Sequence, residues 1–209
     1  MVGGGAMNNF FNRIADYRLK SMRQQIYASA GPCPELFSSL RSYRLDQETV
    51  QAYAGIYSVT LASFTKVSDG DAIFEIDIDG QPTAVIEALL YDDELEQQVA
   101  DLVAWPLHDP DNFATALGPH AGADVLGVEH MVMRKGRPLR VYRTPLEWLQ
   151  AGCNGCVPLT EIGGRFWLNR AGGPFLVGCL DEARWLRDYL GVSAVCHCIL
   201  LPFNGRRAA

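Results

Sequence analysis

The chain has 209 residues, 48% hydrophobic and 20% charged, with a formal net charge of −6. This length and apolar content exclude a disordered chain, and no apolar run of about 18 residues is present that would span a bilayer. The acidic balance argues against broad nucleic-acid binding.

The N-terminal MVGGGAM lacks a basic region followed by an apolar core, so it is not expected to be a secretory signal. Residues 1–7 are expected to be a disordered lead-in, with Met7 an alternative start. Without export, the six cysteines should stay reduced, and the cytoplasm is the default location.

A helix is predicted over Asn8–Ala28, with Phe10, Ile14, Tyr17 and either Met22 or Ile26 as its apolar stripe and Arg13, Arg18, Lys20 and Arg23 around it. Gly31-Pro32-Cys33-Pro34 ends it. Two further helices are expected, over Glu35–Tyr43 and from an Asp46 cap to about Ile56. Val59–Phe64 either continues that helix or starts a strand. Residues 8–66 thus read as a helical N-terminal subdomain, packed on a core over 67–204.

That core opens on an alternating strand. Phe74, Ile76 and Ile78 fall on one face, and Glu75, Asp77 and Asp79 on the other. Asp79-Gly80 signals a turn, Thr83–Tyr91 is apolar on both faces apart from Glu87, and Asp92-Asp93 marks a second turn. Gln98–Trp105 then returns with Val99, Val103 and Trp105 on one face, giving an antiparallel meander.

Pro106–Asn112 is a loop, and Asn112 is a candidate cap for a short helix over Phe113–Leu117. Gly118–Gly127 has no clear period, a helix is expected over Val125–Met133, and Leu139–Arg143 reads as a strand. Thr144-Pro145-Leu146-Glu147 combines a capping Thr, Pro at the first helical position and Glu three residues after the cap. Strands are expected near Val157–Thr160, Arg165–Asn169 and Phe175–Cys179. A helix should follow from Asp181 to about Leu190, then a strand over Val192–Leu201 and a frayed tail. The fold class is therefore α+β, a helical N-terminal segment on a mainly antiparallel sheet with additional C-terminal helices.

Residues 51–110 carry one Lys/Arg against twelve Asp/Glu, while residues 111–209 carry eleven against eight. The acidic face of the meander therefore has a candidate counterpart in the basic run Arg134, Lys135, Arg137, Arg140 and Arg143, within one chain or between two copies. This run, with the N-terminal helix, is the candidate contact surface for a protein partner. A membrane is not expected as a partner, and no cofactor is expected.

Two constellations bear on chemistry. Asp77 and Asp79, on alternate positions of one strand, would point the same way about 7 Å apart and could share a divalent metal. An apolar strand ending in Asp-x-Asp resembles the metal-binding strand of archaeo-eukaryotic primases and primase-polymerases, which would give Asp77 and Asp79 to Mg²⁺. That family pairs its acids with a Ser-x-His motif and a third Asp. Here His120 follows Gly118-Pro119, and Asp101 is the candidate third acid. Secondly, Cys153-Asn-Gly-Cys156 has the spacing of half a zinc site, for which Cys196, His197 and Cys198 offer further ligands, although in a strand His197 would face away from the two cysteines. Packed thiols are the competing reading.

The segments VADLVAWPLHDPDNFATALG and VYRTPLEWLQAGCNGCVPL resemble uncharacterised bacterial proteins associated with prophages and other mobile elements, over roughly residues 70–190. The resemblance implies a mobile-element setting and transfers no activity. The expected function is non-enzymatic binding of another macromolecule or a second copy. The alternatives are a metal-dependent nucleic-acid enzyme and a zinc-stapled module.

Overall fold

Two sheets of opposite character divide the chain. A computed structural model describes residues 4–29, 38, 41–45, 55, 58–68, 70–91, 97–119, 122–132, 136–191 and 198–200. Most of the two helices expected between Glu35 and Ile56 lies outside them, as do the 92–93 turn and the tail.

The first sheet contains β1 (Ser58–Lys66), β2 (Ala72–Ile76), β3 (Gln81–Tyr91), β4 (Gln97–Pro106) and β5 (Ala114–Thr115), closed into a barrel in the order β1-β2-β5-β4-β3. Val59–Phe64 is thus strand, as its β-branched and apolar residues allow. The expected meander is corrected at its first turn. β2 and β3 both pair antiparallel with β1, one on each side, so Ala62 faces Ile76 and Gln81. The chain crosses β1 through residues 77–80. At the crossing a Cβ on Gly80 would collide with the Ala62 backbone, which explains the glycine. The second expected pairing holds, with β3 antiparallel to β4. β5 closes the barrel through few pairs, Ile73 with Thr115 on one side and Val103 with Thr115 and Ala104 with Ala114 on the other. Residues 113–117 were expected to be helical. Instead Ala114 and Thr115 form this closing strand, and Ala116 N–H and Leu117 N–H are taken by the Asp101 side chain rather than by a helical turn.

Inside the barrel the residues are small: Ala62, Ala104, Ala114 and Ala116 surround Phe74, Val85 and Leu102. Helix α1 (Gly4–Ser29) covers this interior with Leu19, Met22 and Ile26, starting four residues ahead of the expected Asn8. Tyr17, assigned above to the buried stripe, is 77% exposed, and Leu19 takes the inward place. Each of the three buried side chains contributes about 1.5–3 kcal/mol. The side chains of Phe10 and Ile14 lie outside the described residues.

A bulge at Ala100 shifts the register between β3 and β4. It turns Val99 into the barrel interior while Val103 and Trp105 face outward, so these three do not share a face.

The second region follows from β6 (Val125–Leu126). It contains α2 (Val128–Val132), β7 (Leu139–Arg140), α3 (Pro145–Gln150), β8 (Val157–Pro158), α4 (Glu161–Ala171), β9 (Phe175–Val177), α5 (Leu180–Leu190) and β10 (Cys198–Leu200). Strands and helices alternate here, and the strands are parallel in the order β10-β9-β7. A parallel bridge between Val141 and Cys156 brings β8 alongside, and β8 pairs antiparallel with β6. The outer face of β3 and β4, with Ala84, Ile86, Val103 and Trp105, packs on Trp148, Leu149, Val157 and Leu159 of this lobe. Of the helix expected over Val125–Met133, the first two residues are strand.

The expected strand at Arg165–Asn169 is corrected to helix α4. Gly163 and Gly164 lower helix propensity, but close packing requires them: a Cβ on Gly163 would collide with the Asp124 carboxylate, and one on Gly164 would crowd Tyr189 and Pro158.

Candidate functional site

A cavity of about 540 Å³ opens between barrel and lobe. From the barrel, Gly70 in the β1–β2 loop and Asp111 and Phe113 in the β4–β5 loop line it. From the lobe come the segments that follow β7 and β8, together with Trp185 and Tyr189 of α5. It lies at the carboxyl ends of the parallel strands, where α/β sheets bind ligands. A second cavity of about 490 Å³ continues along the barrel past Lys66 and Asp71, sharing Gly70, Asp111 and Phe113 with the first.

Helix N-termini at such an edge ordinarily offer unsatisfied N–H groups to anions. Here the protein's own carboxylates reach the first amide of α4 and, at α3 and α5, the amide of the residue just ahead of the cap. At α3, Thr144 Oγ accepts from Glu147 N (3.2 Å), as the sequence predicts, and Glu147 Oε2 accepts from Arg143 N (2.9 Å). At α4, Asp71 of the barrel accepts from Glu161 N at 2.7 Å, while the Thr160 hydroxyl donates to Asp124 Oδ1 at 2.6 Å. At α5, Glu182 Oε2 accepts from Gly178 N at 2.6 Å.

The aromatic wall is fixed from behind. Trp185 and Tyr189 stack with ring centroids 5.7 Å apart, and the Arg143 guanidinium lies over Trp185 at 5.4 Å. Tyr189 donates to Thr160 O at 2.7 Å, and burial raises its phenol pKa further above the ordinary value. Arg165 pairs with Glu161 at 3.0 Å and donates from Nε to Tyr189 O at 2.7 Å. Asp111 is exposed and has no ion pair or hydrogen bond with any described residue.

The basic run is not one surface. Arg140 pairs with Glu182 at 2.9 Å and lies over Tyr142, and Arg143 donates to Asp181 O at 2.8 Å. Both therefore brace the start of α5. Arg137 is exposed and, together with Arg140, His130 and Asn154, lines a 220 Å³ hollow apart from the cleft that Arg143 lines. Arg134 and Lys135 lie outside the described residues. The acids of the barrel find other partners: Arg18 of α1 meets Glu75 at 3.1 Å and Arg23 meets Glu87 at 2.6 Å. Among the described residues, Glu75 and Glu87 of the barrel pair with α1 and not with Arg137, Arg140 or Arg143.

Asp77 and Asp79 do not project side by side from a strand. β2 ends at Ile76, Ile78 is 86% exposed, and Asp77 Oδ1 accepts from Asp79 N at 3.0 Å, an Asx turn that bends the carboxylate onto its own backbone. Asp101 is fully buried on the outer face of β4. Its Oδ1 accepts from the N–H groups of Leu102 (2.8 Å), Ala116 (3.1 Å) and Leu117 (3.1 Å), and a Cβ on Gly122 would collide with Oδ2. Burial pushes its carboxyl up to about 7, against the pull of those N–H groups and that of Ala123. His120 lies outside the described residues.

Cys153 and Cys156 belong to different hydrophobic clusters, and burial pushes the Cys153 thiol up to about 12, far from the thiolate a metal needs. Cys198 packs at the margin of the Cys156 cluster, and Cys196 and His197 lie outside the described residues. Among the described residues no three His, Cys, Asp or Glu side chains are grouped to hold a metal. Nor does any described helix have the length and apolarity to cross a membrane.

The cleft itself was missed from sequence, although Asp111 beside a turn-rich loop was a readable hint of a functional rim. No protein-family model, curated protein or solved structure matches this chain.

Proposed function

We propose that this is a non-enzymatic protein that binds another macromolecule in the cleft between the barrel and the α/β lobe. A phage or other mobile element is the setting that the sequence resemblance suggests. The supporting observation is a preformed cavity walled by stacked Trp185 and Tyr189, with Asp111 at its rim without a partner among the described residues. Concave sites with an aromatic wall are an ordinary form of binding site. The polar groups around this one are tied to backbone rather than arranged as nucleophile, base and orienter. Arg140 and Arg143 serve the start of α5, which moves the contact surface from the basic run to the cleft.

The test is selection from a displayed library of random 12-residue peptides, followed by hydrogen exchange on the complex. Selected peptides should protect amides at residues 111–113, 143–147 and 185–189. Protection confined to another surface, or a library yielding no binder, would overturn the reading.

A further inference from the structure

We propose that the Asp101 carboxyl is a proton-operated latch on the seam of the barrel, holding the chain that leaves β5 firmly in acid and loosening it as the solution becomes neutral. The latch is independent of what the cleft binds.

The seam is the weakest joint of the first sheet. β5 is two residues long and, among the described residues, is all that joins β2 to β4, with one pair on the β2 side and two on the β4 side. Beyond β5 the chain is held largely by side chains. Thr115 Oγ1 accepts from Gly118 N at 3.1 Å, and Asp101 Oδ1 accepts from Ala116 N and Leu117 N, both at 3.1 Å. Ala116 N–H is shared with Leu102 O at 2.9 Å, so the Leu117 amide is the one that rests on the carboxyl. Gly122 closes over the other carboxyl oxygen, where a Cβ would collide with Oδ2, and Ala123 N–H adds a weaker pull. One buried carboxyl thus clasps the chain at 116–117 and again at 122–123.

The same geometry says which oxygen carries the proton. Oδ1 takes three N–H groups, whereas Oδ2 is buried without a hydrogen-bond partner among the described residues. A charge on such an oxygen is costly, and a proton placed there removes it without disturbing the donors on Oδ1. No described counter-charge offsets that cost. Glu87 of β3 faces the barrel interior, where Arg23 pairs with it. Asp124 takes the Thr160 hydroxyl, Glu147 of α3 takes Arg143 N, and Glu129 of α2 lies beside His130. The buried Cys153 thiol keeps its own proton. Burial therefore dominates, and the Asp101 carboxyl holds its proton up to about 7.

Opening the clasp would bring the carboxyl into water, where an aspartate gives up its proton near pH 4. Between that value and 7, opening releases a proton, so it becomes easier with each step towards neutral. The clasp is tightest below pH 4, and its easing is complete above 7.

The test is native-state hydrogen exchange of the full chain at about pH 5 and pH 8, with rates divided by those of an unstructured peptide at the same pH, with and without about 0.5 M urea. A carbon-13 titration of the Asp101 carboxyl accompanies it. Protection at Leu117 and Ala123 should fall at least about tenfold from pH 5 to pH 8. It should barely respond to urea, as a local opening that exposes little surface does. The carboxyl should titrate near pH 7, and in Asp101→Asn the fall in protection should vanish. Protection unchanged by pH in the native chain would overturn the proposal, because no proton would then leave on opening. Protection that drops with urea as steeply as that of the β3 amides would also overturn it, because the clasp would then open only with the whole molecule. A carboxyl titrating near pH 4 is a third way for it to fail, and one that needs no variant.

Discussion

The two faces of the β3–β4 ribbon bury one carboxylate each and satisfy it by different means. On the barrel side, Glu87 lies among alanines under α1, and an arginine from that helix pairs with it. On the lobe side, Asp101 sits near Val103 and Trp105 with no described cation in contact, held by backbone N–H groups of its own strand and of residues 116–117. A charge answered by a side chain ties one element to another. A charge answered by main chain fixes the path of a loop, so the first device docks a helix and the second shapes the rim beside β5.

That contrast is sharpest at Asp101. Asp101→Ala takes the acceptor from the Leu102 and Leu117 N–H groups, while Ala116 N–H keeps its bond to Leu102 O at 2.9 Å; at about 1–3 kcal/mol each, urea denaturation should show a loss of at least about 2 kcal/mol. A loss under about 1 kcal/mol would mean that water or rearrangement replaces the carboxylate. The same residue carries a pH signature. Its folded pKa, about 7, lies above the unfolded value near 4, so its contribution is fullest below pH 4 and is lost as pH rises through 7. The stability of the native protein relative to Asp101→Asn should therefore fall between pH 4 and 7.5. A flat difference would contradict a buried, proton-retaining acid.

On the other face the effect should be smaller, because the Arg23 side chain is 32% exposed and solvent screens the pair. Arg23→Met should cost about 2 kcal/mol by leaving Glu87 buried alone, and Arg23→Met with Glu87→Leu should recover most of it. If the double variant is as unstable as the single, the pair matters through packing and not charge.

Away from the ribbon the acids should be nearly silent. Mg²⁺ or Mn²⁺ should shift the melting temperature by less than about 1 °C, in the native protein and in Asp77→Ala/Asp79→Ala alike. Metal-dependent stabilisation lost in that variant would restore the nucleic-acid enzyme to consideration. Smallest of all, Asp111→Asn should alter stability by no more than about 0.5 kcal/mol, as expected of a surface group without a partner.

What could be read from sequence follows the same division between local and non-local causes. The α+β class, the Thr144-capped helix and the strand character of residues 97–106 come from local periodicity and capping, which act over a few residues. The β1 crossing, the Ala100 bulge and the closing pair at Thr115 depend on what lies across the sheet, and no local pattern encodes it. The strand expected at Arg165–Asn169 failed for the same reason, since Gly163 and Gly164 in α4 answer to contacts with Asp124 and Tyr189 that no local pattern encodes. Cleft residues were hidden because Trp185 and Phe113 are ordinary core types, and each does pack against a core cluster while its remaining surface lines the cleft. Asp77 and Asp79 drew notice by spacing alone, and an Asx turn dissolved the pattern.

Asp71 reaches from one lobe to the first amide of a helix in the other. Swinging the halves apart would strand that amide, so the width of the slot is set when the chain folds rather than when a guest arrives. A visitor of matching size meets a rigid mould and loses little to reshaping its host, and one too wide has no hinge to force.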